Sequence, residues 1–205
     1  MPGFGTEYAN RLLDYAFRGV EPPSTADRAG SLHAVDPGVS GGGELNGLGY
    51  AREAVTFNPA ENGVIVLGAN TTFSNLPGAW ILYIGMWTTD SPAVYVGSMP
   101  NGQLREFTAT AADDTFTVAS HGLVDGMPVC LLPVTGASLP APLLPDEPYY
   151  IRDATANTFR LTAAAGGPIL ALSSDGGGTV RRVHRMDPGE NFTLLAGSQF
   201  AFLGI

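Results

Sequence analysis

Ala79-Trp80-Ile81-Leu82-Tyr83-Ile84-Gly85 is the stretch that decides the fold. It is short, apolar and aromatic, with Pro77-Gly78 just before it, which is how a buried strand between turns reads. Ala93-Val94-Tyr95-Val96-Gly97 repeats the pattern. After the turn-forming Met99-Pro100-Asn101-Gly102 the text becomes a Thr/Ala-rich alternation with Pro-rich loops, until strand-like text resumes at Gly176-Gly177-Gly178. The closing runs, Phe192-Thr193-Leu194-Leu195-Ala196 and Phe200-Ala201-Phe202-Leu203, are too short to build a core alone. They need strands from the first segment. The expected organisation is therefore a helix at 1–19, a split β domain at 20–102 and 183–205, and an inserted β module at 103–182.

Composition points the same way. A chain of 205 residues with 44% hydrophobic content has material for one large or two small cores. Gly 27 and Pro 16, against 14% charged residues, favour turns and short strands over helices. The 10 basic residues are all Arg and face 19 acidic ones, a net charge of -9. Phosphate would repel such a chain, so no nucleic-acid partner is expected despite Arg181-Arg182 and Arg185. A lone Cys130 excludes an internal disulfide, and Val129-Cys130-Leu131-Leu132 makes it a small buried residue. No basic start leads into an apolar run and no stretch reaches membrane-spanning length, so neither export by a secretory signal nor membrane insertion is expected.

One helix is predicted, with Thr6 capping its first turn, Glu7 complementing its positive end, and Gly19 stopping it. Tyr8, Leu12, Tyr15 and Phe17 are the candidate assembly face. Ser31 to Val35, Tyr50 to Phe57 and Gly63 to Gly68 read as strands, and Phe73 continues the series. Long loops are expected around Pro22-Pro23 and Asp36-Pro37-Gly38. The fold class is all-β: an N-terminal helix, then a jelly-roll-like or sandwich β domain interrupted by a small β barrel or sandwich. Within the insertion, Asp114-Thr115-Phe116-Thr117-Val118 and Asn157-Thr158-Phe159-Arg160-Leu161 echo each other, each predicting a strand with its Phe turned inward. Gly126 to Leu132 and Tyr149 to Arg152 supply further strands, and Leu139 to Pro145 is an extended loop.

Signals for chemistry are weak. His33, His121 and His184 lie in separate segments without paired ligand spacing, and His121 in Ser120-His121-Gly122-Leu123 suits a turn. Asp113-Asp114 would point to opposite strand faces, so a turn is favoured over an acid and base pair. Other acids, Glu21, Asp27, Asp36, Glu44, Asp146, Glu147, Asp175 and Asp187, sit in loop-like text. Nucleophile-elbow and phosphate-loop motifs are missing, and the triglycines at 41–43 and 176–178 read as linkers or turns. No catalytic, metal or cofactor residue is assigned. Tyr149-Tyr150, with Trp87 and Tyr95, are candidates for sugar stacking, although core packing is favoured for strand aromatics; Tyr149 and Tyr150 stand as the candidate exposed contact surface.

Tyr8-Ala9-Asn10-Arg11-Leu12-Leu13-Asp14-Tyr15-Ala16-Phe17, Leu32-His33-Ala34-Val35-Asp36-Pro37-Gly38 and Gly49-Tyr50-Ala51-Arg52 resemble small tail-fibre-like virion proteins of tailed bacteriophages. Ala79-Trp80, Tyr83-Ile84-Gly85 and Tyr95-Val96-Gly97 match their middle strands, and Pro188-Gly189-Glu190-Asn191-Phe192 with Phe200-Ala201-Phe202 their closing ones. The stretch from Asp114 to Gly126, with Tyr149-Tyr150-Ile151 and Asn157 to Leu161, resembles β modules scattered through phage tail proteins. The resemblance implies a non-enzymatic virion component, made in the bacterial cytoplasm, homotrimeric, contacting capsid or tail proteins and, through its module, a host-surface glycan. Capsid decoration, and carbohydrate cleavage by a virion enzyme, are the alternatives.

Overall fold

A computed structural model describes residues 5–20, 28–61 and 64–200, the Phe200 side chain excepted. Pro22-Pro23, Glu21, Asp27 and Ala201-Phe202-Leu203 lie outside the described residues. In chain order the elements are α1 (Thr6–Arg18), β1 (Arg28–His33), β2 (Glu53–Val55), β3 (Ile65–Val66), β4 (Thr71–Phe73), β5 (Ala79–Ile81), β6 (Tyr83–Thr88) and β7 (Tyr95–Pro100). They continue as β8 (Arg105–Thr110), β9 (Thr115–Thr117), β10 (Pro128–Leu132), β11 (Tyr149–Arg152), β12 (Thr158–Thr162) and β13 (Gly176–Arg182). The last three are β14 (His184–Met186), β15 (Phe192–Leu194) and β16 (Gln199–Phe200). Among the described residues the protein is all-β with one helix. The chain divides into two compact units, Met1–Pro100 with Arg185–Ile205, and Asn101–His184.

The first unit is built on an antiparallel sheet in the order β2-β1-β6-β7. Leu32, Ile84, Met86 and Val96 belong to its core, which they share with Phe73, Leu76, Ile81 and Leu194. The C-terminal strands pair with early ones: β14 with β5, β15 with β4 and β16 with β3. These strands are two or three residues long. Such short strands hold only because their side chains reach a shared core. The Ala79 to Gly85 run, expected as one strand, is two. Ala79–Ile81 joins β14, whereas Tyr83–Thr88 joins β1, and between them the Leu82 amide donates to His33 O.

Asn101–His184 forms a closed antiparallel barrel in the order β10-β11-β12-β9-β8-β13, with β13 also pairing β10. Closure leaves no unpaired strand edge around the ring. The two echoing segments become β9 and β12 and pair directly, Phe159 opposite Phe116. Their rings stack at 5.3 Å and 4°, and Phe107 tilts against Phe116 at 5.3 Å. Gly176-Gly177-Gly178, expected as a linker or turn, instead lies inside β13. The reason is close approach: a Cβ at Gly176 would meet Ser138 O and the Pro140 ring, and one at Gly178 would overlap Leu132 O. The extended loop from Leu139 therefore packs directly on this strand.

Candidate assembly site

Helix α1 starts without the predicted side-chain cap. Gly5 is its N-cap, and backbone bonds secure it, Gly5 N donating to Val96 O at 2.8 Å and Thr6 N to Val39 O at 3.3 Å. Gly19, with φ 67, ends it as expected. The first half of the helix is tied to its own unit. Arg28 lies over the Tyr8 ring and donates to its hydroxyl at 3.2 Å, and Arg11 reaches Asp90 at 3.4 Å. Beyond Leu12 every helical residue except Asp14 is exposed, and no helix residue is fully buried.

Tyr8, Leu12, Tyr15 and Phe17 do not share one face. At about 100° per residue, Tyr8, Leu12 and Tyr15 fall within roughly 60° of one another, while Phe17 lies about half a turn from Tyr8. Tyr8 and Leu12 are half-buried against the unit; Tyr15 is exposed. Phe17 is 83% exposed, the highest among the described large hydrophobic residues. The apolar surface thus wraps the helix from Tyr8 around to Phe17, one edge used and the other open.

Behind the helix start, the sheet face opposite the apolar core carries a buried polar chain. Strand alternation puts Ser31 and His33 on the same face, both with no exposed area. His33 Nδ1 donates to Gly42 O at 2.7 Å, because a carbonyl only accepts; Nε2 therefore accepts from the Ser31 hydroxyl at 2.7 Å. Ser31 Oγ in turn accepts from Trp87 Nε1 at 3.0 Å. Burial holds the His33 pKa below 6.5. A Ser and His pair of this kind would suit nucleophilic chemistry if substrate reached it. Here the pair is sealed, since a Cβ on Gly85 would overlap both side chains. Its role is to latch the 37–43 turn onto the sheet. Gly41, with φ 77, sits where a Cβ would strike the Trp87 and Tyr95 rings, so this triglycine does read correctly as a turn. Arg52 covers the Trp87 ring at 3.5 Å and forks onto Glu44 through Nε at 2.9 Å and Nη2 at 2.7 Å. Tyr95 is buried beside Trp87 and its hydroxyl is pushed up to about 12 by burial.

On the barrel, Tyr149 corrects the expected contact surface. It is buried in the barrel core, where its hydroxyl accepts from Leu144 N at 2.9 Å, because strand alternation turns it inward. Tyr150 points the other way and is half-buried. His121 stabilises its turn as read, Leu123 N donating to its Nδ1 at 2.9 Å, with the ring edge-on to Phe159. Asp114, with φ 56, accepts from Leu172 N at 2.7 Å, again a turn. The Cys130 thiol is buried and pushed up to about 12 by burial. Sequence reading missed the barrel's buried charge: Arg181 donates to Asp146 at 2.7 Å and to Asn101 O at 3.4 Å. Its mark in the sequence is the alternation Val180-Arg181 opposite Cys130-Leu131, which only the strand register reveals. Among the described residues no three His, Cys, Asp or Glu side chains gather as a metal site would need, and no helix is long and apolar enough to cross a membrane.

The helix, the sheet of the first unit and the first two barrel strands lie in one stretch of chain that matches a known family, described as podophage GP4 fiber I protein gp80, over residues 3–125. The chain belongs to this phage fibre family. As a family member it is a virion structural protein of tail-fibre-like type, associated with other virion components. The match crosses Pro100 and ends beyond β9, leaving the closing strands β14 to β16 outside it. No curated protein matches the chain.

Proposed function

We propose that this chain is a non-enzymatic tail-fibre-like component in which Met1–Pro100 with Arg185–Ile205 attaches to the particle and the barrel is an inserted module displayed to the host surface. The observation that carries the reading is the family match over residues 3–125. The exposed apolar half of α1 supports attachment through protein contacts, because a Phe at 83% exposure gains by being covered. Homotrimers are the proposed assembly state, by analogy with fibre proteins in general. The proposed host contact is a surface glycan, met by the barrel exterior around Tyr150 rather than by the buried Tyr149. Quantitative mass spectrometry of purified particles tests the reading. A few copies per particle, with adsorption lost when the barrel is removed, is the expected result; hundreds of copies with adsorption unchanged would point to capsid decoration instead.

A further inference from the structure

We infer that the outer wall of the barrel carries a site for an acidic saccharide, with Arg152 and Arg160 holding its carboxylate and Tyr150 lying beside its ring. The inference rests on the host-contact reading above and gives that contact a chemistry. Arg152 on β11 lies directly opposite Arg160 on β12, and Tyr150 precedes Arg152 by two positions, so strand alternation turns all three outward, away from the buried Ile151 and Phe159. Like charges placed opposite each other on paired strands are destabilising, so stability alone does not account for the arrangement. The two guanidinium heads nevertheless converge. Asp153, in the left-handed region with φ 52, brings one carboxylate back between them, Oδ1 at 3.6 Å from Arg152 Nε and Oδ2 at 3.4 Å from Arg160 Nη1.

One carboxylate does not neutralise two guanidinium groups. The Asp125 carboxylate accepts from Ala154 N at 2.8 Å, and Asp113 meets Arg160 Nε with its backbone carbonyl, at 3.2 Å, rather than with its acid. Arg152 Nη1 reaches Gly167 O at 3.4 Å, and among the described residues the Nη2 groups of Arg152 and Arg160 have no partner. Two forks therefore stand open toward a planar carboxylate, the group a guanidinium holds best. The chain as a whole carries -9, which repels a polyanion such as nucleic acid and leaves a single acid on an otherwise uncharged molecule as the fitting ligand. Saccharide is the class the neighbours select. Beside Arg160 a cleft of about 250 Å³ is lined by Thr115, Thr155 and Thr158, whose hydroxyls both donate and accept as sugar hydroxyls require. Tyr150, half-buried on the same wall, supplies an apolar ring surface with a polar tip.

Binding of the full chain to oligogalacturonate and to a sialylated oligosaccharide tests it, each offered as the free acid and as its methyl ester, which removes the charge and keeps the sugar. Binding of a free acid, lost on esterification, is the expected result. Arg152→Gln and Arg160→Gln should each weaken it by about ten-fold, since a charge-assisted hydrogen bond goes. Tyr150→Ala should weaken it too. Asp153→Asn, a side chain that also suits φ 52, should tighten it, because the competing carboxylate is gone; a misfolded variant would show no such gain. Binding of neither acid, equal binding of acid and ester, or binding indifferent to both arginine variants would overturn the proposal. Inorganic phosphate bound as tightly as the free acids would mean a bare anion site and overturn it as well. Particles whose adsorption survives removal of the barrel would defeat the display reading while leaving this binding intact.

Discussion

Arg181 in the barrel and His33 in the split unit are both buried polar side chains, yet they are held by opposite means. Arg181 meets a carboxylate; His33 is kept neutral within a chain of uncharged hydrogen bonds. The surroundings differ in the same sense. The barrel is a closed ring around stacked phenylalanines, and its strands all come from one continuous segment. The split unit gathers very short strands from both ends of the chain and depends on glycines to fit its turn and latch. Closure within one segment makes for autonomy, whereas pairing of distant ends requires the whole polypeptide. The exposed helix adds to the contrast, since Phe17, the most exposed large hydrophobic residue among those described, belongs to the split unit.

The greatest loss should follow Phe159→Ala, which removes a ring stacked on Phe116 in the barrel centre; about 3–5 kcal/mol is expected by denaturant unfolding. A comparably sized loss in a split-unit property, such as helix accessibility to protease, would blur the distinction between the units. Asp146→Ala comes next, at about 3 kcal/mol, because it strips the carboxylate from a guanidinium that has no exposed area. Gly85→Ala should cost about 2 kcal/mol in the split unit, since the new methyl group displaces Ser31 and His33. Near-ultraviolet circular dichroism would locate that loss at Trp87, leaving the barrel's aromatic signal in place.

Acid gives the smallest effect. The folded chain holds His33 neutral, so below pH about 6.5 the unfolded state binds more protons than the folded one. Stability should fall with pH through that window and level off below the lowered His33 value. Burial is the largest influence on this imidazole and lowers its pKa, with Arg52 acting in the same direction, and the two outweigh the raising effects of the Gly42 hydrogen bond and the Glu44 charge. His33→Gln should flatten this part of the profile; an unaltered profile would show that another group sets it.

How much of this was legible in the sequence follows from how local each signal is. The strands β10 to β12 and the inward phenylalanines of β9 and β12 were readable because alternation and turn residues are local. The break at Leu82 was not, since the Ala79 to Gly85 run is uniformly apolar and only its two different partners divide it. Gly176-Gly177-Gly178 misled because glycine marks close approach as well as turns. Phe17 was placed on the helix face of Tyr8 although counting residues already separates them. Ser31 and His33 were in plain sight as alternate strand positions, but the seal over them comes from Gly85, distant in sequence.

The most direct test of the central claim is to unfold residues 101–184 as an isolated fragment beside the full chain. The account predicts a soluble fragment with one sharp transition, reproduced as a separate transition in the intact protein, and a chain lacking Gln103 to Arg182 that still folds. An insoluble fragment, with a single concerted transition in the intact chain, would contradict it.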